Sequence, residues 1–156
     1  MSPIVHRSGS SVDTRVWADR LADLVLLSVD PSPDARLAAA LDPECPAVIL
    51  SRLVADDNPE VRAAAAAHAG LASRTMREVA LYGDQEVCAA LARNPSATTE
   101  AIETLSDHGD RVVRLAAARS PRMHGERLAV LAADDDAMVR AAARRARSAS
   151  ARPRHR

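Results

Sequence analysis

The chain has 156 residues with 21 basic and 21 acidic side chains, a formal net charge of +0, which excludes a strongly basic nucleic-acid binder and a highly charged disordered chain. Phe is absent and Trp and Tyr occur once each, so Ala, Leu, Val, Ile and Met must build the core, which favours closely packed helices over a sheet. The length suits one domain or one array with a continuous core.

Every basic residue is Arg, which points to GC-rich coding DNA and a bacterial chain. Arg144, Arg145, Arg147, Arg152, Arg154 and Arg156 follow Ala143, where no acid occurs; the other 15 arginines face all 21 acids, a balance of about −6. An acidic body with a short basic tail is not the pattern of a nucleic-acid-binding body.

Residues 1–12 carry Ser, Gly and Pro without periodicity and are expected to be flexible. No apolar run of signal-peptide length occurs there, and no later stretch reaches the ~18 to 20 apolar residues of a membrane span, so a cytoplasmic protein without a membrane partner is expected. Ser11 or Asp13 caps a first helix running to about Ser28, with Trp17, Leu21, Leu24 and Leu27 or Val25 on one face. Leu24 and Leu27 stand one period before Leu50 and Leu53. This helix is therefore predicted to be an N-terminal cap, with Trp17 sealing its exposed end.

The rest of the chain repeats itself. DPSPDARLAAAL from Asp30 returns as DDNPEVRAAAAA from Asp56, YGDQEVCAALAR from Tyr82, HGDRVVRLAAAR from His108 and DDDAMVRAAARR from Asp134. The recurring Arg falls at 36, 62, 114 and 140, with Cys88 in the remaining slot, each step being 26 residues. A fixed period of this size marks units that bury their apolar faces only by stacking on one another.

Each unit holds two short helices. The first follows an Asp-, Pro- or Gly-rich turn, with Pro33 or Pro59 near its start and acids such as Asp34, Glu60, Glu86 and Asp110 placed for the helix dipole. It stops near DPE (Asp42–Glu44), HAG (His68–Gly70), NPS (Asn94–Ser96) or SPR (Ser120–Arg122). The second helix carries the apolar columns Leu50, Met76, Ile102, Leu128 and Leu53, Val79, Leu105, Leu131. After Ala143 the last helix lacks a second partner and is expected to fray. The predicted organisation is a flexible 1–12, an array over 13–147 and a basic disordered tail over 148–156.

The pattern D-x-x-x-x-V-R-x-A-x-A, then N-P-S, then T-x-E-x-[IL]-x-x-L, is carried best by VRAAAAAHAG and VCAALARNPSATTEAIETLSDHGDRVVRLAAARSP. It resembles the leucine-rich-repeat variant family and, more loosely, HEAT repeats, across roughly residues 16–147. The resemblance implies an all-α fold: a right-handed α–α superhelix of about five two-helix repeats, with first helices that are short or 3₁₀-like. A founding member of the variant family carries a cysteine-bound iron–sulfur cluster; this sequence lacks that cysteine group, and no cofactor is expected.

Candidate sites follow from the same periods. Arg36, Arg62, Arg114 and Arg140 share one phase and would suit phosphates. The structural alternative, favoured here, is that in HEAT-like repeats the Asp six residues before the Arg pairs across the turns between repeats; Asp30, Asp56 and Asp134 precede Arg36, Arg62 and Arg140 in this way. Tyr82 and Cys88 lose both charges at once, as expected if neither is tolerated half-buried alone, and His108 before Arg114 is a partial exception.

The exposed side of the second helices offers Arg52, Arg74, Arg77, Glu78, Glu100, Glu103, Glu126 and Arg127, a mixed-sign surface for a protein partner or simply a solvated face. Without interleaved aromatic rings it does not suit a nucleic-acid groove. His6, His68, His108, His124 and His155 lack metal-ligand spacing, Cys45 and Cys88 form no ligand pair, and no nucleophile motif or phosphate loop occurs. The expectation is a non-enzymatic scaffold that binds another protein along its concave face, with no catalytic residues and no metal. The alternative is nucleic-acid binding through arginines and the basic tail, as in HEAT-like DNA-repair glycosylases; a lyase such as the phycobilin lyases ranks last.

Overall fold

A computed structural model describes residues 11–150, with side chains described for 15–149. Over that span the chain is all-helical: α1 (Ser11–Leu27), α2 (Pro33–Leu41), α3 (Ala47–Leu53), α4 (Pro59–Ala67), α5 (Ser73–Tyr82), α6 (Gln85–Arg93), α7 (Thr99–Ser106), α8 (Arg111–Arg119), α9 (Glu126–Leu131) and α10 (Ala137–Ser150). The even-numbered helices from α2 onward start at Pro33, Pro59, Gln85, Arg111 and Ala137, each one sequence period after the last. They form a row in which α2 packs on α4, α4 on α6, α6 on α8 and α8 on α10. The odd-numbered helices α5, α7 and α9 pack in sequence beside it.

Local chemistry sets the boundaries. Pro33 and Pro59 open α2 and α4, where a missing N–H costs nothing. The side chains of Asn58, Asp84, Thr98 and Asp110 accept hydrogen bonds from the free N–H groups of the first turns of α4, α6, α7 and α8. Asp136 does the same for Met138 and Val139. At the other ends Asp42, Asn94 and Ser120 adopt extended backbone angles, the conformation that a following Pro demands. The start of α9 comes one residue late because Gly125 takes a φ of 65°, a left-handed value open to glycine.

The core is a strip between the two rows. Both predicted apolar columns are buried, from Leu50 and Leu105 at 0% exposure to Val79 at 6%. On the facing row the paired alanines Ala39 and Ala40, Ala65 and Ala66, Ala117 and Ala118 are each 0% exposed. So small a side chain lets the helix axes approach at the short end of the ~8 to 10 Å range.

A second polar ladder runs along the ends of the even-numbered helices. Asp42, His68, Asn94 and Ser120 occupy the same phase of successive units, and each accepts a hydrogen bond from the backbone N–H two positions on. Two of them also reach back one unit. His68 Nε2 lies 2.9 Å from the Asp42 carbonyl, and Asn94 Nδ2 donates to the carbonyls of Ala66 at 3.0 Å and His68 at 2.7 Å. The His68 ring nitrogen that accepts from Gly70 is Nδ1, so Nε2 carries the proton.

Two terminal expectations change. The helix α10 does not fray after Ala143 but continues through Arg144, Arg145 and Arg147 to Ser150, into the segment expected to be tail. Ala and Arg are strong helix formers, cations suit a helix C-terminus, and Arg144 donates to the Ala132 carbonyl at 3.3 Å. Residues 151–156 lie outside the described residues, as do 1–10 of the expected flexible segment and the side chains of Ser11 and Asp13. Trp17 does not form a buried seal: it is 55% exposed, and α1 joins the core through Leu24 and Leu27 near its C-terminal end, with Arg20 donating to Asp42 at the end of α2. The even-numbered helices are also α-helical, not 3₁₀.

Asn94 is fully buried and ties three backbone groups across two units. Asn94→Ala is expected to lower the unfolding free energy by roughly 2–3 kcal/mol, because buried acceptors lose their donor. Urea unfolding monitored by circular dichroism measures it, and a loss below about 0.5 kcal/mol would contradict the assigned role.

Candidate functional site

The arginine ladder is an internal fastener. Arg36 Nε and Nη2 reach the two carboxylate oxygens of Asp56 at 2.7 and 2.9 Å, and Arg114 meets Asp134 in the same fork at 2.8 and 3.1 Å. The Nη1 of each donates to the carbonyls five and six positions earlier, those of Pro31 and Asp30 for Arg36 and of Gly109 and His108 for Arg114. The partner carboxylate thus comes from the unit that follows. The residue six places before supplies only its backbone carbonyl, so the spacing of six does not identify the ion pair. Asp30 is not the side-chain partner of Arg36, and its carboxylate instead accepts from Ser32 N.

This register reassigns the exceptions. The position opposite Arg62 is Tyr82, and Arg62 turns to Asp84 just beyond it, with Nη2 at 3.0 Å. The position opposite Cys88 is His108, so the rung that lost both charges is Cys88 with His108, not Cys88 with Tyr82. The buried Cys88 thiol donates to the carbonyls of Val79 at 3.2 Å and Gly83 at 3.4 Å. His108 Nδ1 accepts from Asp110 N, as Asp56 and Asp134 accept from the residue two places after them. Arg140 holds the carbonyls of Asp134 and Asp135. Arg36 and Arg114 are held by forked ion pairs and backbone carbonyls and Arg62 by Asp84 and two carbonyls, whereas only Nη1 of Arg140 has a partner among the described residues.

The paired groups show the expected electrostatics. The guanidinium hydrogen bonds from Arg36 and Arg114 hold Asp56 and Asp134 below the usual carboxylate range, and raise the arginines in turn. Burial pushes Cys88 up to about 11 and raises Cys45.

Most of the odd-row residues nominated for partner binding already have a side-chain partner. Arg74 pairs with Glu78 at 3.0 Å on α5, Arg77 lies 3.9 Å from Glu100 across α5 and α7, and Arg127 reaches Asp107 at 2.8 Å. Arg52 turns back to the Ser28 carbonyl at 2.8 Å and to its hydroxyl. Glu103, Glu126 and Arg127 come together around one shallow groove with His124 and Val130. The nominated residues therefore form a mixed-sign face along α5, α7 and α9, with Arg52 set apart near the end of α1.

A second arginine row stands at another phase of the period. Arg93, Arg119 and Arg145 are exposed and recur at one phase on α6, α8 and α10, and among the described residues their side chains make no ion pair or hydrogen bond. Grooves lined by alanine and other apolar side chains separate them: Arg93 and Arg119 border one with Ala89, Val112 and Leu115, and Arg119 and Arg145 border the next with Met138 and Ala142. The sequence period could have found this row, but the ladder at 36, 62, 114 and 140 is the more regular arginine signal.

Among the described residues no group of three or more His, Cys, Asp or Glu is placed to hold a metal, and no helix is long and apolar enough to cross a membrane. Comparison with protein-family models, curated proteins and solved structures gives no match to this chain.

Asp56 and Asp134 have lowered folded-state pKa values, so their stabilisation is present above the ordinary carboxylate pKa and is lost as pH falls through the folded value. Stability should decline below about pH 4, and an Asp56→Asn/Asp134→Asn variant should start less stable at neutral pH and show a shallower acid limb in unfolding curves taken from about pH 7 to 2. Cys88 should react with a thiol reagent at about pH 8 no faster than the chain opens, because burial and a raised pKa withhold the thiolate; labelling at the rate of a free thiol would contradict the assigned burial.

Proposed function

We propose that this chain is a non-enzymatic scaffold: a right-handed α–α superhelix of about five two-helix repeats of the leucine-rich-repeat variant or HEAT-like kind, binding another protein along the concave face of its second helices. One observation carries the reading. Helices that start at a constant period are locked to their neighbours by forked Arg–Asp pairs and by His68 and Asn94, which leaves a preformed surface. A rigid face loses little conformational entropy on binding, and mixed charges set specificity more than raw affinity. The positions that would meet the partner are Arg77, Glu100, Glu103, Glu126 and Arg127, with Arg74 and Glu78 at the rim.

Affinity capture with the tagged full chain, followed by cross-linking, should recover a defined protein cross-linked to α5, α7 or α9. A Glu100→Arg/Glu103→Arg variant should weaken that complex by about tenfold or more with an unchanged thermal midpoint, both side chains being at least partly exposed. Recovery of no protein, together with nucleic-acid retention whose affinity falls steeply with salt, would favour the nucleic-acid reading instead.

A further inference from the structure

The charges outside the inter-unit fastening are answered unevenly. Those on the odd row are mostly answered by neighbours, as Arg74 is by Glu78 and Arg127 by Asp107. Those at the C-terminal ends of α6 and α8 and on the matching turn of α10 are not. Arg93 and Arg119 are the last residues of their helices, and Arg145 holds the equivalent position on a helix that continues to Ser150.

The surface beside these arginines is apolar. On α8 the side chains of Val112, Leu115, Ala116 and Arg119 share one face at helical spacing, and on α10 Met138, Ala142, Arg145 and Ala149 do the same. Val112 is 38% and Met138 54% exposed. An occupant must therefore supply carboxylates to three cations and small apolar side chains to the grooves between them. A phosphodiester strand supplies anions but nothing apolar, and no Trp or Tyr adjoins these grooves to stack a base.

Neighbouring packed helices lie ~8 to 10 Å apart, so the three helices that carry these arginines succeed one another at steps of about that length. Residues seven apart on an α-helix are separated by ~10.5 Å along its axis. We infer that the row Arg93, Arg119 and Arg145, with the apolar grooves between its members, is a docking site for an acidic amphipathic helix of a partner protein that crosses α6, α8 and α10. Its Asp or Glu residues recur at i, i+7 and i+14, and its Ala, Val or Leu residues face the grooves. The inference deepens the scaffold reading but uses the other row of helices, so the two can fail separately.

The test uses the full chain and a fluorescein-labelled helical peptide of about 18 residues with Glu at i, i+7 and i+14 on an Ala/Leu face, beside a peptide of equal composition with the Glu residues scrambled. Fluorescence anisotropy should show the ordered peptide binding at least about tenfold more tightly than the scrambled one, and Arg93→Gln/Arg119→Gln/Arg145→Gln should abolish that difference. The three side chains are exposed, so the variant should keep the wild-type circular dichroism melt. Equal binding of both peptides, or an unchanged triple variant, overturns the inference. So does a DNA duplex that outcompetes the ordered peptide at the same salt concentration, which would assign the row to phosphates. A natural partner that survives the triple substitution but is lost with Glu100→Arg/Glu103→Arg overturns this site and leaves the scaffold reading standing.

Discussion

Helices of two to three turns are too short to be stable alone in water, and every element between α2 and α9 is of about this length. What holds them in place is contact with neighbouring helices: the even-numbered ones with their equivalents in the adjoining units, and the odd-numbered ones chiefly with the even row. The alanine pairs of the even row make that contact close, and the Leu, Met, Ile and Val columns of the odd row fill the space behind them. Remove the neighbour and an apolar face on each side returns to water, so the stability of any one unit is a property of the row.

Close packing of small residues is unspecific by itself, because one alanine face fits another at several offsets. The polar ladders select one register. A forked Arg–Asp pair has a fixed geometry, and its remaining donors end on two backbone carbonyls, so a slip would leave a guanidinium and a carboxylate half-buried without partners. At the other end of the same helices, His68 and Asn94 meet backbone carbonyls of the preceding unit. The junction without an arginine, Cys88 with His108, is spanned by neither His68 nor Asn94, which reach back at the two earlier junctions. There Arg122 Nε donates to the Pro95 carbonyl at 3.2 Å and Arg127 Nη1 to the Asp107 carboxylate at 2.8 Å.

The same economy separates structural charge from available charge. Most arginines of the described chain are consumed in holding turns, carbonyls or neighbouring carboxylates, and the mixed-sign face along α5, α7 and α9 is partly self-neutralised. Arginines with no such duty stand out against that background. They cluster toward the later helices, where the exposed face also turns from acidic residues such as Asp34 and Glu60 to apolar ones such as Val112 and Met138. The array is therefore not equivalent along its length, although its backbone elements recur evenly.

Much of this organisation is legible in the amino-acid sequence, because its causes are local and repeat. Pro and Asx residues mark helix starts by their own backbone preferences, X–Pro steps mark the ends, and the columns from Leu50 to Leu131 follow from spacing alone. The length of α10 is not legible from apolar periodicity, because the helix propensity of Ala and Arg carries it on after that periodicity stops. Only the tertiary structure decided which carboxylate each arginine meets. A guanidinium on a long side chain can span to the next unit as readily as to its own turn, and spacing along the chain does not rank those distances. Only packing, likewise, could show which of many similar arginines were left over, since a charge is free by virtue of what its neighbours in space have already bound.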